Sequence, residues 1–438
     1  MMTLFNDLRK PFAISLGLAF LVLVSCKEDI KKSENKTTEI SVVTESAKSR
    51  IDSTLQSFVD AGNIAGVSAL IYEQGQEVYY NAFGFAEKEA QKPMNRNTIV
   101  QIYSMTKPIT GTALMTLYEE GKFDLDDPIS KYAPEFSNME VYTGVDSNGK
   151  ITTEPLNRPV TIRDVTGHTA GFPNRPDIPG LSNLLEEKNI YDRETTLSDL
   201  GKKLGEIPLW FQPGTQWEYG PSVDVQALLV ERISGIPYGE YVRKHVLDPL
   251  GMQETRYFIP EEDRDRFSRL YIRTGEGELV KDSVTYSNYT EQWPMTGGGS
   301  GLTSTLDDYM KFAQMLVNDG SLDSVQILKP KTVKLMATNQ LADSITERSW
   351  LPSKGQVGFG IDFAVRVAPP ANAEENNGMV GEFYWDGAAS TLFWVDPVNK
   401  LTTVMFVQLF PYDQIGLHKK FRDAVYGPYK DKSENQRN

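Results

Sequence analysis

Cysteine and histidine are scarce in this sequence, which has one cysteine and three histidines among 438 residues. A single cysteine excludes an intramolecular disulfide. Zinc sites are built from clusters of cysteine and histidine, and His168, His245 and His418 are too scattered to form a visible cluster. We therefore expect neither a disulfide framework nor a metal, and no cofactor is implied.

The Gly-x-Ser-x-Gly elbow of many serine hydrolases is also missing. The glycine run at 297–301 contains Gly298, Ser300 and Gly301, and this spacing does not match the elbow. The run lacks the Gly-Lys-Ser/Thr ending of a phosphate-binding loop and reads as a tight loop leading into a helix. A Ser-His-Asp arrangement on another template stays open, but no local signature supports it.

An excess of basic charge is absent as well. The chain has 45 Lys and Arg against 59 Asp and Glu, a formal charge of -14. Electrostatic binding of nucleic acid needs a clustered basic face, so we expect no nucleic-acid partner. No internal repeat is visible, and the ordinary composition predicts a large globular domain or two closely packed ones.

One apolar run stands near the N-terminus. It covers residues 11–25, follows Arg9 and Lys10, is too short for a convincing membrane span, and ends directly before Cys26. The tetrad "LVSC" resembles the lipobox of bacterial lipoproteins. The resemblance implies that residues 1–25 are a signal peptide and that Cys26 carries a lipid anchor. The mature chain is then expected at the outer membrane, facing the periplasm or the cell surface. The alternative is an ordinary secretory signal with an incidental cysteine.

The segment after the cysteine differs in composition from the rest. Residues 26–48 are polar and charged without a sustained period, which predicts a flexible tether. Apolar residues then recur at helical spacing from Ile51 to Val59, so the folded domain is predicted over 49–428. The polar tail 429–438 is predicted to be disordered.

Strand signals gather at the two ends of the predicted domain. The runs "GVSALIYEQ" and "EVYYNAFGFAE" flank Gly75 and predict a hairpin. Near the C-terminus, "MVGEFYWDG", "ASTLFWVDP" and "LTTVMFVQLF" predict three strands, and "QIGLHKKFRDAVYG" predicts a helix. The implied fold is α+β, with an antiparallel sheet from about 49–103 and 355–428 and a mainly helical region, about 104–354, inserted between them.

The pattern Ser-x-x-Lys occurs three times, at 33–36, 104–107 and 147–150. The first copy lies in the predicted tether and the third in the turn "DSNGK". The second copy precedes Pro108, and proline is tolerated only in the first turn of a helix, so a helix is predicted to begin close to Ser104.

That position would give Ser104 two chemical advantages. Free amides and the helix dipole favour negative charge on its oxygen, and Lys107 lies on the same helix face. Serine is a weak nucleophile until a base takes its proton, and a buried lysine of lowered pKa can serve as that base. The alternative is a small residue that caps a helix.

Six segments of the chain, in order from about 50 to 425, resemble one family. They resemble the serine β-lactamase and penicillin-binding-protein superfamily, and most of all its class C-like branch, which includes the family VIII carboxylesterases and D-aminopeptidase-like enzymes. The segments are "YSMTKPITGTALMTLYEEGKFDLDDPISKYAPEF", "TIRDVTGHTAGFP", "FQPGTQWEYGPSVDVQALLVERISG", "VLDPLGM", "GGGSGLTSTLDDYMKFAQML" and "YWDGAASTLFWVDP".

The resemblance implies roles for three side chains. Ser104 would be the acyl-accepting nucleophile, Lys107 its partner, and Tyr219 of "WEYGPS" a proton relay. A tyrosine beside cations can be pushed toward phenolate and act as a base. The alternative reading of Tyr219 is a core aromatic. His168, in the "GHTAG" segment, is expected to be structural.

The third motif of the family falls on Trp385, Asp386 and Gly387. The resemblance implies that the amide of Ala388 forms an oxyanion hole with the amide of Ser104. Members that hydrolyse β-lactams tend to have a lysine or histidine and then a small hydroxyl residue in place of the tryptophan and aspartate. An acidic side chain there would repel a substrate carboxylate, whereas tryptophan offers an apolar wall.

These features predict a serine hydrolase that uses an acyl-enzyme, most of all a carboxylesterase for uncharged acyl esters or for donors with a cationic group near Asp386. Pro221 stands where β-lactam-hydrolysing members usually have asparagine. The alternatives are a D-aminopeptidase or D-Ala-D-Ala carboxypeptidase-like peptidase, a β-lactamase, and a non-catalytic binding lipoprotein. The expected partners are a small ester or peptide and, through the lipid, a membrane.

Overall fold

The computed structural model describes residues 41–175 and 177–430. One compact unit begins at Ser41. The predicted signal peptide, Cys26, the tether up to residue 40 and the tail from residue 431 lie outside the described residues, so those predictions stand untested. Within the described ranges, no helix is long and apolar enough to cross a membrane.

The folded domain begins earlier than its predicted boundary at residue 49. The first helix spans Glu45–Asp60, and the Thr44 side chain caps it by accepting the Ala47 N–H at 3.2 Å. Upstream of the cap, the Ser41 hydroxyl donates to Glu73 at 2.6 Å. The last residues of the predicted tether are therefore part of the domain, because a threonine cap and a contact with the sheet fix them.

The α-helices lie mostly in the inserted region, with α1 and α11 from the chain ends. They are α1 (Glu45–Asp60), α2 (Thr106–Glu119), α3 (Ile162–Thr166), α4 (Leu181–Lys188), α5 (Leu197–Gly205), α6 (Ser222–Ser234), α7 (Tyr238–Val242), α8 (Ser287–Thr290), α9 (Leu306–Val317), α10 (Pro330–Met336) and α11 (Leu417–Tyr426). A π-helical turn, Arg243–Leu247, continues α7, and a 3-10 turn, Tyr103–Met105, precedes α2.

Eight strands form the central antiparallel sheet, as the sequence predicts. They are β1 (Gly66–Glu73), β2 (Gln76–Glu87), β3 (Lys92–Pro93), β4 (Val357–Phe359), β5 (Ala364–Arg366), β6 (Phe383–Asp386), β7 (Leu392–Asp396) and β8 (Leu401–Val407). Their spatial order is β4-β5-β6-β7-β8-β1-β2-β3. The N-terminal hairpin therefore joins the C-terminal strands where β1 pairs with β8, with Ala69 opposite Met405.

Helices cover both faces of this sheet, which explains why its inner strands read as continuous apolar runs. Successive side chains of a strand point to opposite faces. In β7, the Phe393 ring packs 4.9 Å from Tyr309 of α9, and the next residue, Trp394, packs 5.5 Å from Phe421 of α11. Full burial of each such side chain stabilises the fold by roughly 1.5–3 kcal/mol.

Short strand pairs connect segments outside the central sheet. One pair matters for the site, because Val100–Gln101 pairs with Thr303–Ser304 and so brings the glycine run at 297–301 beside the segment before Ser104. The other short strands are Glu140–Val145 with Ile151–Pro155, Tyr271–Arg273 with Leu279–Lys281 and with Leu409–Phe410, and Ser321–Leu322 with Val325–Gln326.

Candidate active site

Ser104 lies in the 3-10 turn immediately before α2, at the helix N-terminus that the position of Pro108 predicts. The residue before it, Tyr103, has a φ of +45°, in the left-handed region that non-glycine residues rarely adopt. Such backbone strain persists only where the surrounding structure fixes it. The strained turn leaves Ser104 partly exposed while the residues that follow it in α2 are buried.

Lys107 contacts the serine as its spacing predicts. Its Nζ donates to Ser104 Oγ at 3.0 Å and to the carbonyl oxygen of Gly299 at 2.6 Å. The residue is only 5% exposed. The Gly299 carbonyl therefore holds the side-chain nitrogen of Lys107 at hydrogen-bonding distance from the Ser104 hydroxyl.

Burial lowers the pKa of Lys107 to about 8, although the carboxylates of Asp224, Asp362 and Asp386 oppose the shift. A low dielectric environment disfavours the charged form of a lysine. About a tenth of the Lys107 side chains therefore carry the free amine at pH 7. This is the state in which a lysine accepts a proton from a hydroxyl.

Tyr219 lies against the same lysine. The Lys107 Nζ is 4.7 Å from the centre of its ring, and the Trp385 indole N–H donates to its hydroxyl at 3.2 Å. Burial raises the pKa of Tyr219, and interactions with Ser104 and Trp385 offset only part of the rise. The expectation of a tyrosine pushed toward phenolate is not met in the resting site, because burial and the carboxylates of Asp386 and Asp362 disfavour the phenolate. Tyr219 is therefore a neutral phenol, and Lys107, whose pKa is lowered, is the candidate base.

His168 packs below Tyr219 as part of an aromatic wall. Its fully buried ring lies 4.8 Å from the Tyr219 ring and 5.3 Å from Phe359. Burial, and then the charge of Lys107, lower the pKa of His168 well below its ordinary value. The neutral imidazole supports the tyrosine through packing, in keeping with the structural role expected from the sequence.

Gly387 allows the third motif to approach the serine segment. A Cβ at this position would lie 2.5 Å from the carbonyl oxygen of Ile102, two residues before Ser104. The Gly387 N–H donates to the Thr391 carbonyl at 2.9 Å. Within the described ranges, neither the Ser104 N–H nor the Ala388 N–H has a hydrogen-bond acceptor. The two amides predicted to form the oxyanion hole are thus both available to a ligand.

Asp386 does not present an unpaired charge, which corrects the expectation of repulsion. Its buried carboxylate forms an ion pair with Lys354 and accepts a hydrogen bond from the Tyr412 hydroxyl at 2.7 Å. Burial opposes its ionisation, but Lys354 and His418 hold the pKa of Asp386 below its ordinary value. Lys354 is 32 residues away in the chain, so no local pattern could reveal the pair.

Asp224 and the glycine run are parts of the site that the sequence did not reveal. The Asp224 carboxylate accepts the Gly299 N–H at 2.9 Å and the Tyr191 hydroxyl at 2.8 Å. The Gly299 carbonyl in turn accepts from Lys107. A Cβ at Gly299 would lie 2.9 Å from Asp224 and one at Gly298 would clash with the Val223 carbonyl oxygen, which explains the two consecutive glycines at 298 and 299. The repeated glycines in the sequence are the one local sign of this contact, because glycine permits another chain segment to approach closely.

A cleft of about 580 Å³ lies beside the glycine run. Gly297, Ser300 and Gly301 form one wall. The Arg193 guanidinium stacks over the Trp293 ring at 4.3 Å within the cleft. The apolar and aromatic side chains that line it are Tyr191, Tyr257, Phe258, Val284, Tyr289, Trp293 and Met295.

No group of three or more histidine, cysteine, aspartate or glutamate side chains that could hold a metal ion occurs in the described part of the chain.

Comparison with known proteins shows to which family this chain belongs. A family model described as Beta-lactamase matches residues 51–426. Protein Rv1367c of Mycobacterium tuberculosis is 31% identical over 363 residues, covering 82% of this chain and 89% of that protein. Esterase EstB of Burkholderia gladioli is 27% identical over 414 residues, covering 89% of this chain and 97% of EstB.

Solved structures agree on the fold. The structure of "EstCE1, a hydrolase with promiscuous acyltransferase activity" superposes with a TM-score of 0.72 at 24% identity, covering 88% of this chain and all of that one (100%). The chain belongs to the β-lactamase family of the serine β-lactamase and transpeptidase superfamily. Within that family it is a serine hydrolase with esterase relatives.

Proposed function

We propose that this chain is a carboxylesterase-type hydrolase that forms an acyl-enzyme on Ser104. The observation that carries the proposal is the 3.0 Å contact between Lys107 Nζ and Ser104 Oγ in a buried setting. A pKa of about 8 gives Lys107 a free amine near neutral pH. A nucleophile and a base within hydrogen-bonding distance are the signature of covalent catalysis.

The reaction begins when the free amine of Lys107 takes the Ser104 proton and Oγ attacks the ester carbonyl carbon. The electron pair of the carbonyl moves to its oxygen, and the oxyanion rests against the amides of Ser104 and Ala388. The neutral Tyr219 phenol then gives its proton to the departing alkoxide, and the Lys107 ammonium restores the phenol proton. An alcohol leaves, and the acyl group stays on Ser104.

Deacylation runs the same relay in reverse. Water attacks the acyl carbonyl carbon and loses its proton to Lys107 as the second tetrahedral oxyanion forms. Collapse of this intermediate breaks the bond to Ser104 Oγ, which takes back a proton through Tyr219 and Lys107. The acid is released, and the site returns to its starting state without any cofactor.

An ester with a bulky apolar group suits the surroundings of the serine. Trp385 and Trp350 lie 5.4 Å and 5.2 Å from the Tyr219 ring and make an apolar wall. The aromatic cleft is lined by Gly297 and Ser300 of the loop whose Gly299 carbonyl binds Lys107, and we propose that it takes the larger group of the ester. The name of EstB states an esterase activity, which supports the same choice.

A peptidase or β-lactamase activity remains the competing proposal. Because Lys354 neutralises Asp386, charge repulsion at that position no longer argues against a substrate carboxylate. The argument against such substrates rests on Trp385 and on Pro221, which stands at the start of α6 in place of asparagine. The substrate panel must therefore include both classes.

The test compares wild type with Ser104→Ala and with a matched control, Ser147→Ala. Ser147 also precedes a lysine by three residues, but it lies in the turn between Glu140–Val145 and Ile151–Pro155. The substrates are p-nitrophenyl esters of increasing acyl size, a chromogenic cephalosporin and a D-alanyl dipeptide amide.

We expect ester hydrolysis that Ser104→Ala abolishes and Ser147→Ala leaves unchanged. Turnover of only the cephalosporin or only the peptide would replace the esterase proposal with one of its competitors. Equal ester hydrolysis by wild type and Ser104→Ala, or no turnover of any substrate, would refute the catalytic assignment and favour a binding lipoprotein.

A further inference from the structure

A buried carboxylate that the proposed mechanism does not use lies beneath α2. Asp362, between β4 and β5, has no solvent exposure and a φ of +58°. Its Oδ1 accepts a hydrogen bond from Gln226 Nε2 at 3.0 Å. Its Oδ2 has no hydrogen-bond donor anywhere in the described part of the chain. A buried carboxylate with an unsatisfied oxygen is costly, so its retention calls for a reason.

Gly111 of α2 makes room for this carboxylate. Gly111 follows Lys107 by one helical turn on the same face. A Cβ at Gly111 would lie 2.5 Å from Asp362 Oδ2. Glycine inside a helix costs about 1 kcal/mol relative to alanine. The helix thus contains a residue of low helix propensity, Gly111, where the Asp362 carboxylate packs against the face that carries Lys107.

The charges around the two residues make their titrations interdependent. Burial raises the pKa of Asp362 to about 8, with Gln226 and Lys107 opposing the rise. The Lys107 pKa is lowered to about 8, so both groups exchange protons in one pH range. The other titratable groups that face this pair are Asp224 on α6, Asp386 on β6, His168 after α3, Tyr219 before α6 and Tyr238 on α7.

We propose that Asp362 is a positioning residue that sets, through its charge, the pH at which Lys107 becomes a free amine. An ionised Asp362 stabilises the Lys107 ammonium, and a neutral Asp362 does not. Removal of the carboxylate therefore extends the free-amine form of Lys107 to lower pH. The inference rests on the proposed role of Lys107 as the base for Ser104.

The main variant is Asp362→Asn, which keeps the shape of the side chain and the contact with Gln226. We expect the midpoint of the rising limb of kcat/KM against pH to move to lower pH by about half a unit. The gain should be largest near pH 8, where Asp362 is partly ionised in the wild type, and should disappear at lower pH, where Asp362 is already neutral. Gly111→Ala displaces the carboxylate without removing it and should move the limb in the same direction. If Asp362→Asn does not fold, the pH profile of Gly111→Ala tests the proposal by itself.

The matched control is Asp396→Asn. Asp396 is another fully buried aspartate with a raised pKa, bonded to Asn399 and Tyr426 at the end of β7. A purely structural effect would lower activity at every pH without moving the limb, as we expect for this control. A limb that stays in place for both Asp362→Asn and Gly111→Ala would overturn the proposal.

A second readout needs no turnover. Lysine labelled with ¹³C and ¹⁵N in the full chain lets NMR follow the Lys107 side chain against pH, with Lys107→Arg assigning its signal. We expect a lower midpoint in Asp362→Asn than in wild type, and identical midpoints refute the pairing. If the midpoint shifts while Ser104→Ala hydrolyses esters like wild type, the proposed function fails and the pairing of Asp362 with Lys107 stands.

Discussion

Lys107 and Lys354 are equally buried, each 5% exposed, and the two lysines have opposite surroundings. Lys107 meets a hydroxyl and a carbonyl oxygen, both neutral. Lys354 meets the carboxylate of Asp386 and the hydroxyl of Tyr412. Equal burial is therefore compatible with two different settings, since Lys107 bonds neutral oxygens and Lys354 is half of an ion pair. The partner at hydrogen-bonding distance, more than burial, decides which lysine is available for chemistry.

The largest expected difference between the two lysines is the effect of Lys107→Met, which removes the amino group and keeps an apolar side chain of similar length. We expect kcat/KM for esters to fall by roughly 10³- to 10⁴-fold, because general-base catalysis and the contact with Ser104 are lost together. Lys150→Met, in the turn copy of the motif, is the control and should leave the rate unchanged. A loss under tenfold in Lys107→Met would mean that another group activates the serine.

Lys354→Met is expected to act on stability. It leaves the Asp386 carboxylate buried without its cation, and such a loss typically costs about 3–5 kcal/mol of unfolding free energy. Urea unfolding measures the change. The double variant Lys354→Met with Asp386→Asn should recover part of the loss, because the orphaned charge is gone. An unfolding free energy equal to wild type in the single variant would show that the pair is not buried in solution.

Tyr219→Phe tests the neutral phenol. It keeps the ring that packs on His168 but leaves the buried Trp385 N–H without its acceptor, so we expect a loss of about 1–3 kcal/mol of unfolding free energy. We expect kcat to fall by about 10²-fold, through slower proton delivery to the leaving alcohol. The loss should be smaller for p-nitrophenyl esters than for alkyl esters, since p-nitrophenolate leaves without a proton. Equal losses for both ester classes would contradict the proposed relay.

The smallest effect concerns acid stability on the Lys354 side. The pKa of Asp386 is lower in the folded chain than the unfolded value of about 3.9, so its contribution is complete above about pH 4. That contribution is lost as the pH falls through the folded pKa. Unfolding free energy measured from pH 5 to pH 3 should therefore fall less steeply in Asp386→Asn than in wild type. Parallel curves would mean that Asp386 is not held ionised.

Local patterns predicted the sheet and the placement of Ser104 correctly. The turn at Gly75 and the three C-terminal apolar runs became the central strands, and Pro108 located the start of α2. These features depend on residues close together in the chain. Helix α1 begins upstream of its predicted start, because the Thr44 cap initiates the helix within a segment whose polar composition is typical of a tether.

The remaining parts of the site depend on pairs that are distant in sequence. Lys354 with Asp386 and Asp224 with Gly299 are formed by the packing of the inserted region against β6 and α2. A single sequence carries no record of such pairs. The neutral state of Tyr219 cannot be predicted locally for the same reason, since the aromatic residues that desolvate Tyr219 come from separate loops and strands.

The pairing of β1 with β8 also has a consequence for biosynthesis. Val67 pairs with Val407, so the inner edge of the N-terminal hairpin has no partner until nearly the whole chain has been made. Contacts of such sequence separation are slow to form, and an unpaired apolar edge is an aggregation hazard while it waits. Nascent chains that stop before residue 401 should consequently be substrates for chaperones, and completion of the sheet is a late event in the life of each molecule.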